Sequence, residues 1–72
     1  MKQLKITEYL FNINTNLLEK NIELLKEILK DVDLTNNEQI ETIKYLLNTI
    51  QGLKTNHEKL TERLQILKEE EE

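Results

Sequence analysis

The sequence predicts an all-α fold, an antiparallel hairpin of two long helices (an αα-hairpin), and three observations carry this prediction. Pro is absent and Gly occurs once in 72 residues, so residues that break helices are almost missing. Apolar residues recur at helical spacing in two long segments. One short stretch rich in Asp and Asn separates them, and so short a connection makes the two helices antiparallel neighbours.

The first helix is expected at about residues 3–31. Leu10, Leu17 and Leu24 repeat every seven residues and define heptad position d. Position a then holds Thr7, Asn14, Asn21 and Ile28, position e holds Phe11, Leu18, Leu25 and Val32, and position g holds Ile6 and Ile13. This apolar stripe is wider than the seam of a two-stranded coiled coil, and it suits a helix contacted on two sides, as in a bundle.

The connecting loop is expected at about residues 32–35. Asp33 and Asn36 favour turns, because their side chains compete for nearby backbone groups. Thr35 and Glu38 have the spacing of a capping box, in which each side chain accepts a hydrogen bond from a free backbone amide. We therefore expect Thr35 to cap the second helix.

The second helix is expected at about residues 36–68, which closes a hairpin domain of residues 1–68. Position a holds Ile43, Ile50, His57 and Leu64, and position d holds Leu46, Leu53, Leu60 and Leu67. The pattern runs through Gly52 without a change of phase, which indicates one continuous helix, and a kink or a third helix at Gly52 is the alternative.

Residues 69–72 are expected to form an acidic C-terminal tail. These four glutamates account for the net charge of −4, because the other ten acidic groups are balanced by ten basic groups. Carboxylates oppose the dipole at the C-terminal end of a helix, so the last turn is expected to fray.

So short a chain needs further stabilisation. A single core of fewer than about 70–80 residues rarely supplies more than ~3–5 kcal/mol. The chain has no Cys and one His, which excludes disulfides and metal sites built from several Cys or His residues. We therefore expect a homo-oligomer, with a dimer favoured, in which two hairpins form a four-helix bundle or coiled-coil assembly.

Asn14 and Asn21 place amides along an otherwise apolar stripe. One interpretation is that they align the helices, because a buried amide needs a hydrogen-bond partner and therefore destabilises every helix register that leaves it unpaired. The other is a polar groove that grips a partner. The predicted oligomer or partner interface comprises Thr7, Leu10, Phe11, Asn14, Leu17, Leu18, Asn21, Leu24, Leu25, Ile50, Leu53, His57, Leu60 and Leu64.

Tyr9, Tyr45 and Ile66 lie off the apolar stripes, so they are either exposed contacts for a partner, since Tyr is enriched at interface hot spots, or single apolar residues of an ordinary surface. His57 lies among apolar residues. It fits a histidine at the edge of the core that is hydrogen-bonded to a neighbour, and also a pH-sensitive switch.

The composition predicts a protein that is not an enzyme. The chain has no Ser, no Cys and one His, so the groups for nucleophilic or acid–base chemistry do not occur together. A lone Gly also excludes a glycine-rich phosphate loop. We expect no cofactor and no bound metal.

The function predicted is a small protein–protein interaction module that acts as a regulator, adaptor or inhibitor. An RNA- or DNA-binding helical-hairpin dimer and a structural component of a larger assembly are the alternatives, although the interspersed charges make nucleic acid a weak expectation. Without a signal peptide or a membrane span, the protein is expected in the cytoplasm. The excess of Ile, Lys, Asn and Glu is typical of AT-rich bacteria and their phages or mobile elements.

Overall fold

The chain forms two α-helices that pack against each other as a hairpin, in a computed structural model that describes residues 2–71 and the side chains of residues 2–70. Helix α1 spans Lys2–Lys30 and helix α2 spans Asn37–Glu71. The hairpin is a rod of 56 × 15 × 14 Å. The predicted all-α hairpin is thus confirmed. Neither helix has, within residues 2–71, an apolar stretch that could cross a membrane.

Polar contacts between the helices show which residues of α1 and α2 lie side by side, at the same level along the rod. The Asn14 amide reaches the backbone carbonyl of Leu53, and the Arg63 guanidinium lies 3.5 Å from the Gln3 side-chain oxygen. The beginning of α1 therefore lies beside the end of α2. Residues at equal distances from the loop share one level along the rod.

The seam between the helices is narrow. Leu46 and Leu67, both at position d of α2, are the large apolar side chains that are buried among residues 2–70. Their buried counterparts on α1 are Thr7 and Asn14 at position a. Position a of α1 therefore faces α2, and the leucines at position d of α1 lie to one side of the seam.

Asn36 caps the start of α2. Its side-chain oxygen accepts hydrogen bonds from the backbone N–H groups of Glu38 and Gln39, at 3.0 and 3.2 Å. The predicted capping box of Thr35 and Glu38 is wrong, because the Thr35 hydroxyl instead donates to the Asp33 carboxylate. Asn is at least as good a cap as Thr, so the helix begins one residue later.

Asp33 organises the loop. One of its carboxylate oxygens accepts from the Thr35 hydroxyl at 2.6 Å and from the Thr35 N–H at 2.9 Å. The Asp33 N–H in turn donates to the Gln39 side chain at 2.8 Å, which ties the loop to the first turn of α2. The hydrogen bonds from the Thr35 hydroxyl and N–H lower the pKa of Asp33 below its ordinary value of 3.8, because they favour the charged carboxylate.

Helix α2 continues through the acidic residues. The sequence predicts a helix end near residue 68 and an acidic tail at residues 69–72, whereas the helix of the structure reaches Glu71. Glutamate is a good helix former, and the repulsion between exposed carboxylates and the helix dipole amounts to only about 0.3–1 kcal/mol. Met1 and Glu72 lie outside the described residues.

Replacing the cap tests this helix start. Asn36→Ala removes the acceptor for two backbone N–H groups, so we expect a loss of about 0.5–2 kcal/mol of unfolding free energy. Asn37→Ala, at the exposed first residue of α2, is the matched control and should change stability little. Urea denaturation followed by circular dichroism measures both, and equal losses would contradict the assigned cap.

Acid titration tests the role of Asp33. Because its pKa is lowered in the folded chain, its stabilising effect is present above pH 3.8 and is lost as the pH falls through the lower folded value. Asp33→Asn should therefore lower the melting temperature at neutral pH, with a difference from wild type that shrinks in acid. A difference that stays constant down to pH 2 would contradict this role.

Candidate interaction surface

The hairpin has two unlike sides. The front side bears a shallow groove of about 350 Å³, lined by Leu10, Ile13 and Leu17 of α1 and by Asn56 and Lys59 of α2, among others. The back side bears a groove on the other side of the seam. Its lining includes Phe11, Thr61, Leu64 and Lys68. The two sides differ mainly in how much apolar surface they expose.

Helix α1 exposes a row of large apolar side chains on the front side. Leu10, Leu17 and Leu24 at position d are 47%, 47% and 50% exposed. Ile6 and Ile13 at the neighbouring position g are exposed as well. Each of these side chains presents a substantial part of its area to water, although the spacing of the row is that of a packed helix face.

Three further exposed side chains extend this surface. Tyr9 lies four residues before Ile13 and therefore on the same face of α1. On α2, Ile66 and Tyr45 lie one heptad after and two heptads before Lys59, which lines the front groove. We call the resulting set the front patch. It comprises Ile6, Tyr9, Leu10, Ile13, Leu17, Leu24, Tyr45 and Ile66.

The back side exposes less apolar surface. Leu29 and Leu47 are its large exposed apolar residues within residues 2–70, and Leu34 is exposed in the loop. The Phe11 ring packs on the His57 ring, with centroids 4.9 Å apart and planes at 34°. His57 thus lies at the edge of the seam, partly covered by an aromatic ring.

His57 also has a polar neighbour. The Thr15 hydroxyl lies 3.5 Å from its Nδ1, at the long end of hydrogen-bond distances. These contacts match the interpretation of a core-edge histidine beside a polar neighbour.

The two asparagines of α1 have different roles. Asn14 is 7% exposed, and its side-chain amide donates to the Leu53 carbonyl of α2 at 3.0 Å. Asn21 is partly exposed and donates to the Leu17 carbonyl of its own helix at 2.7 Å. The groove interpretation therefore fails for Asn14, which α2 already covers. Asn14 pairs the helices, whereas Asn21 spans one turn of α1.

Thr7, at position a near the start of α1, hydrogen-bonds within its own helix, as Asn21 does. The Thr7 side chain is buried, and its hydroxyl donates to the Gln3 carbonyl one turn earlier at 2.8 Å. Its hydrogen bond is thus satisfied within α1. Among the polar side chains at position a, Asn14 is the one that hydrogen-bonds to α2.

The structure divides the predicted interface into three groups. Thr7 and Asn14 are buried in the seam, and Leu10, Leu17 and Leu24 are exposed on the front side. The partly buried members are Phe11, Leu18, Asn21, Leu25, Ile50, Leu53, His57, Leu60 and Leu64.

Sequence reasoning left Ile6 and Ile13 out of the predicted interface. Position g of α1 is next to position d on the helix surface, so the exposure of Ile6 and Ile13 beside the leucine row could have been predicted from the heptad.

Gly52 lies in an open part of the front side, seven residues before Lys59. Its backbone does not have a positive φ, and a Cβ built on it meets nothing within 4 Å. A glycine inside a helix is less stable than alanine by about 0.5–1 kcal/mol. Nothing within the hairpin therefore requires a glycine at this position.

The charged groups lie mostly on outward faces. Lys30 pairs with Glu27 at 2.9 Å and Lys44 with Glu41 at 3.5 Å, and all four side chains are well exposed. Such pairs contribute about 0.2–0.5 kcal/mol each. Over the described part of the chain, no three His, Asp or Glu side chains lie close enough together to hold a metal ion.

Comparisons of the chain with protein-family models, with curated proteins and with solved structures find no match.

Substituting the two asparagines separately tests their assigned roles. Asn14→Ala removes a buried hydrogen bond between the helices, so we expect a loss of about 1–2 kcal/mol in unfolding free energy. Asn21→Ala is the matched control and should stay within about 0.5 kcal/mol of wild type, because Ala is the better helix former. Denaturant unfolding at one protein concentration compares them. A larger loss for Asn21→Ala would refute the assignment.

Proposed function

We propose that the protein is a small non-enzymatic interaction module of the cytoplasm that works as a homodimer, in which two hairpins form a four-helix bundle and act on another protein as regulator, adaptor or inhibitor. The observation that carries the proposal is the front patch. Its apolar row on α1 has the heptad spacing of a packed helix face, yet it lies open in the single chain.

The size of the front patch supports a protein partner. Eight large side chains, each roughly half exposed, present on the order of 900 Å² of surface, whereas the largest apolar patch on a monomer is typically ~300–600 Å². Each partner in a standard interface buries about 800 Å². Two hairpins that pack through their front patches could therefore bury enough surface for a stable dimer.

The thin core of the single hairpin supports the same proposal. Leu46 and Leu67 are the buried apolar residues in the described part of the chain, and the sequence has no Cys with which to form a disulfide. Fully burying one Leu or Ile side chain contributes about 1.5–3 kcal/mol. Covering the front patch would thus bury several more apolar side chains and stabilise a hairpin that buries few by itself.

The distribution of charge does not favour nucleic acid as the partner. Lys30 and Lys44 are each paired with a glutamate, and the front patch consists of apolar side chains. Binding to phosphates needs clustered cations that are free to release counterions. A filter-binding titration whose affinity falls steeply with salt would count against the proposal.

Sedimentation equilibrium tests the proposed dimer. We expect wild type to sediment as a dimer at micromolar concentration, and Leu17→Lys to weaken the dimer at least tenfold, because a charge would be buried in the apolar interface. Asn12→Lys adds the same charge on the outward face of α1 and is the matched control. Circular dichroism shows whether each variant keeps its helices.

Two results would contradict the proposal. One is a folded wild-type monomer across the micromolar range, and the other is equal weakening by Leu17→Lys and Asn12→Lys. The heterologous partner would be sought by affinity purification from the native host with the same two variants as baits.

A further inference from the structure

We infer that the two copies pack front side to front side, about a two-fold axis along the rod, so that α1 of each copy lies on α2 of the other and closes over Gly52. The inference rests on the proposed homodimer. It adds which surfaces of the two copies are in contact, how the copies are oriented, and at which residue their helices approach most closely.

Large side chains of α1 match small side chains of α2 on the front side. On the front side α1 carries Leu10, Ile13 and Leu17 in its middle part. The same stretch of α2 carries Gly52 and Asn56. Interiors pack at high density when bulky groups on one element meet small groups on the other. Placing α1 of one copy on α2 of the other brings these two unlike surfaces together.

The positions of these residues along the rod fit the same arrangement. Asn14 lies beside Leu53 within one hairpin, so Ile13 and Gly52 lie at nearly the same level. A two-fold axis along the rod leaves every level unchanged. Ile13 of one copy therefore comes opposite Gly52 of the other, where the missing Cβ lets the two backbones approach.

Gly52 has no role within the single hairpin. Its φ is not positive and its surroundings are open, so neither a turn nor a close neighbour in the same chain explains it. A close approach by a helix from outside the hairpin does explain it, because small residues let helix backbones come near each other.

The other front-to-front arrangement fits less well. A two-fold axis across the rod would place α1 on α1 and α2 on α2, each running in opposite directions. The bulky rows around Ile13 would then collide near the axis, while the surfaces around Gly52 would face each other across a gap. Overpacking and voids both destabilise an interface.

The aromatic residues find partners in the inferred arrangement. Tyr9 of one copy comes to the level of Lys59 of the other, where an ammonium group can lie over the ring. Tyr45 comes to the level of Leu24 of the other copy. Both tyrosines lie far from the seam on their helices, so they form the edge of the interface.

Engineered disulfides test the arrangement, and the natural chain has no Cys to interfere. We expect Ile13→Cys/Gly52→Cys to form covalent dimers under mild oxidation, because a disulfide needs Cα atoms within about 7 Å. Ile13→Cys alone should form few such dimers. The back-side pair Thr15→Cys/Gln51→Cys, whose members lie at one level along the rod, is the matched control and should also form few.

Covalent dimers formed as readily by Ile13→Cys alone would overturn the inference in favour of α1 on α1. Efficient cross-linking of the back-side pair would overturn it in favour of the back side. In either case a wild-type dimer in sedimentation would leave the proposed function standing. A wild-type monomer whose front patch is covered only when a different protein is added would overturn both.

A second measurement does not depend on oxidation. Gly52→Leu should raise the dissociation constant of the dimer at least tenfold, because the new side chain holds the two copies apart. Gln51→Leu, at an exposed residue four positions after Leu47 on the back side, should leave it unchanged. Equal dissociation constants for the two variants would contradict close approach at Gly52.

Discussion

One neighbouring helix can cover only part of the circumference of a helix. The apolar stripe of α1 is wider than the part that α2 covers. Position a faces α2 and holds Thr7 and Asn14, whereas the leucines of position d lie beside the seam, about half exposed. A single hairpin therefore buries the smaller and more polar share of the stripe. The larger share is available for a second contact, as in a helix of a bundle.

The few polar contacts matter because the seam is so thin. Asn14 binds the Leu53 carbonyl and sets the level of one helix against the other, while Asn36 and Asp33 determine where α2 begins. A shift of α1 against α2 by one helical turn would leave the buried Asn14 amide without its hydrogen-bond partner. The same register brings the bulky front row of α1 level with Gly52, so one buried amide shapes both the hairpin and the surface that it offers.

The sequence allowed the two helices and the break between them to be predicted, because periodicity and turn residues are local properties. The capping residue was missed, since Thr35 and Asn36 are both good caps and the side chain of Asp33 decides between them. The different roles of Asn14 and Asn21 could not be predicted. They depend on how α2 crosses a stripe that is apolar on both sides of position a, and the heptad pattern of α1 leaves that choice open.

The dependence of thermal unfolding on protein concentration tests most directly whether the hairpin is half of a larger core. If the folded state is a dimer, dilution favours unfolding by mass action, and the melting temperature should fall steadily over a hundredfold dilution. A melting temperature that is the same at all concentrations, with full helicity throughout, would show that one hairpin is stable alone and would contradict the central claim.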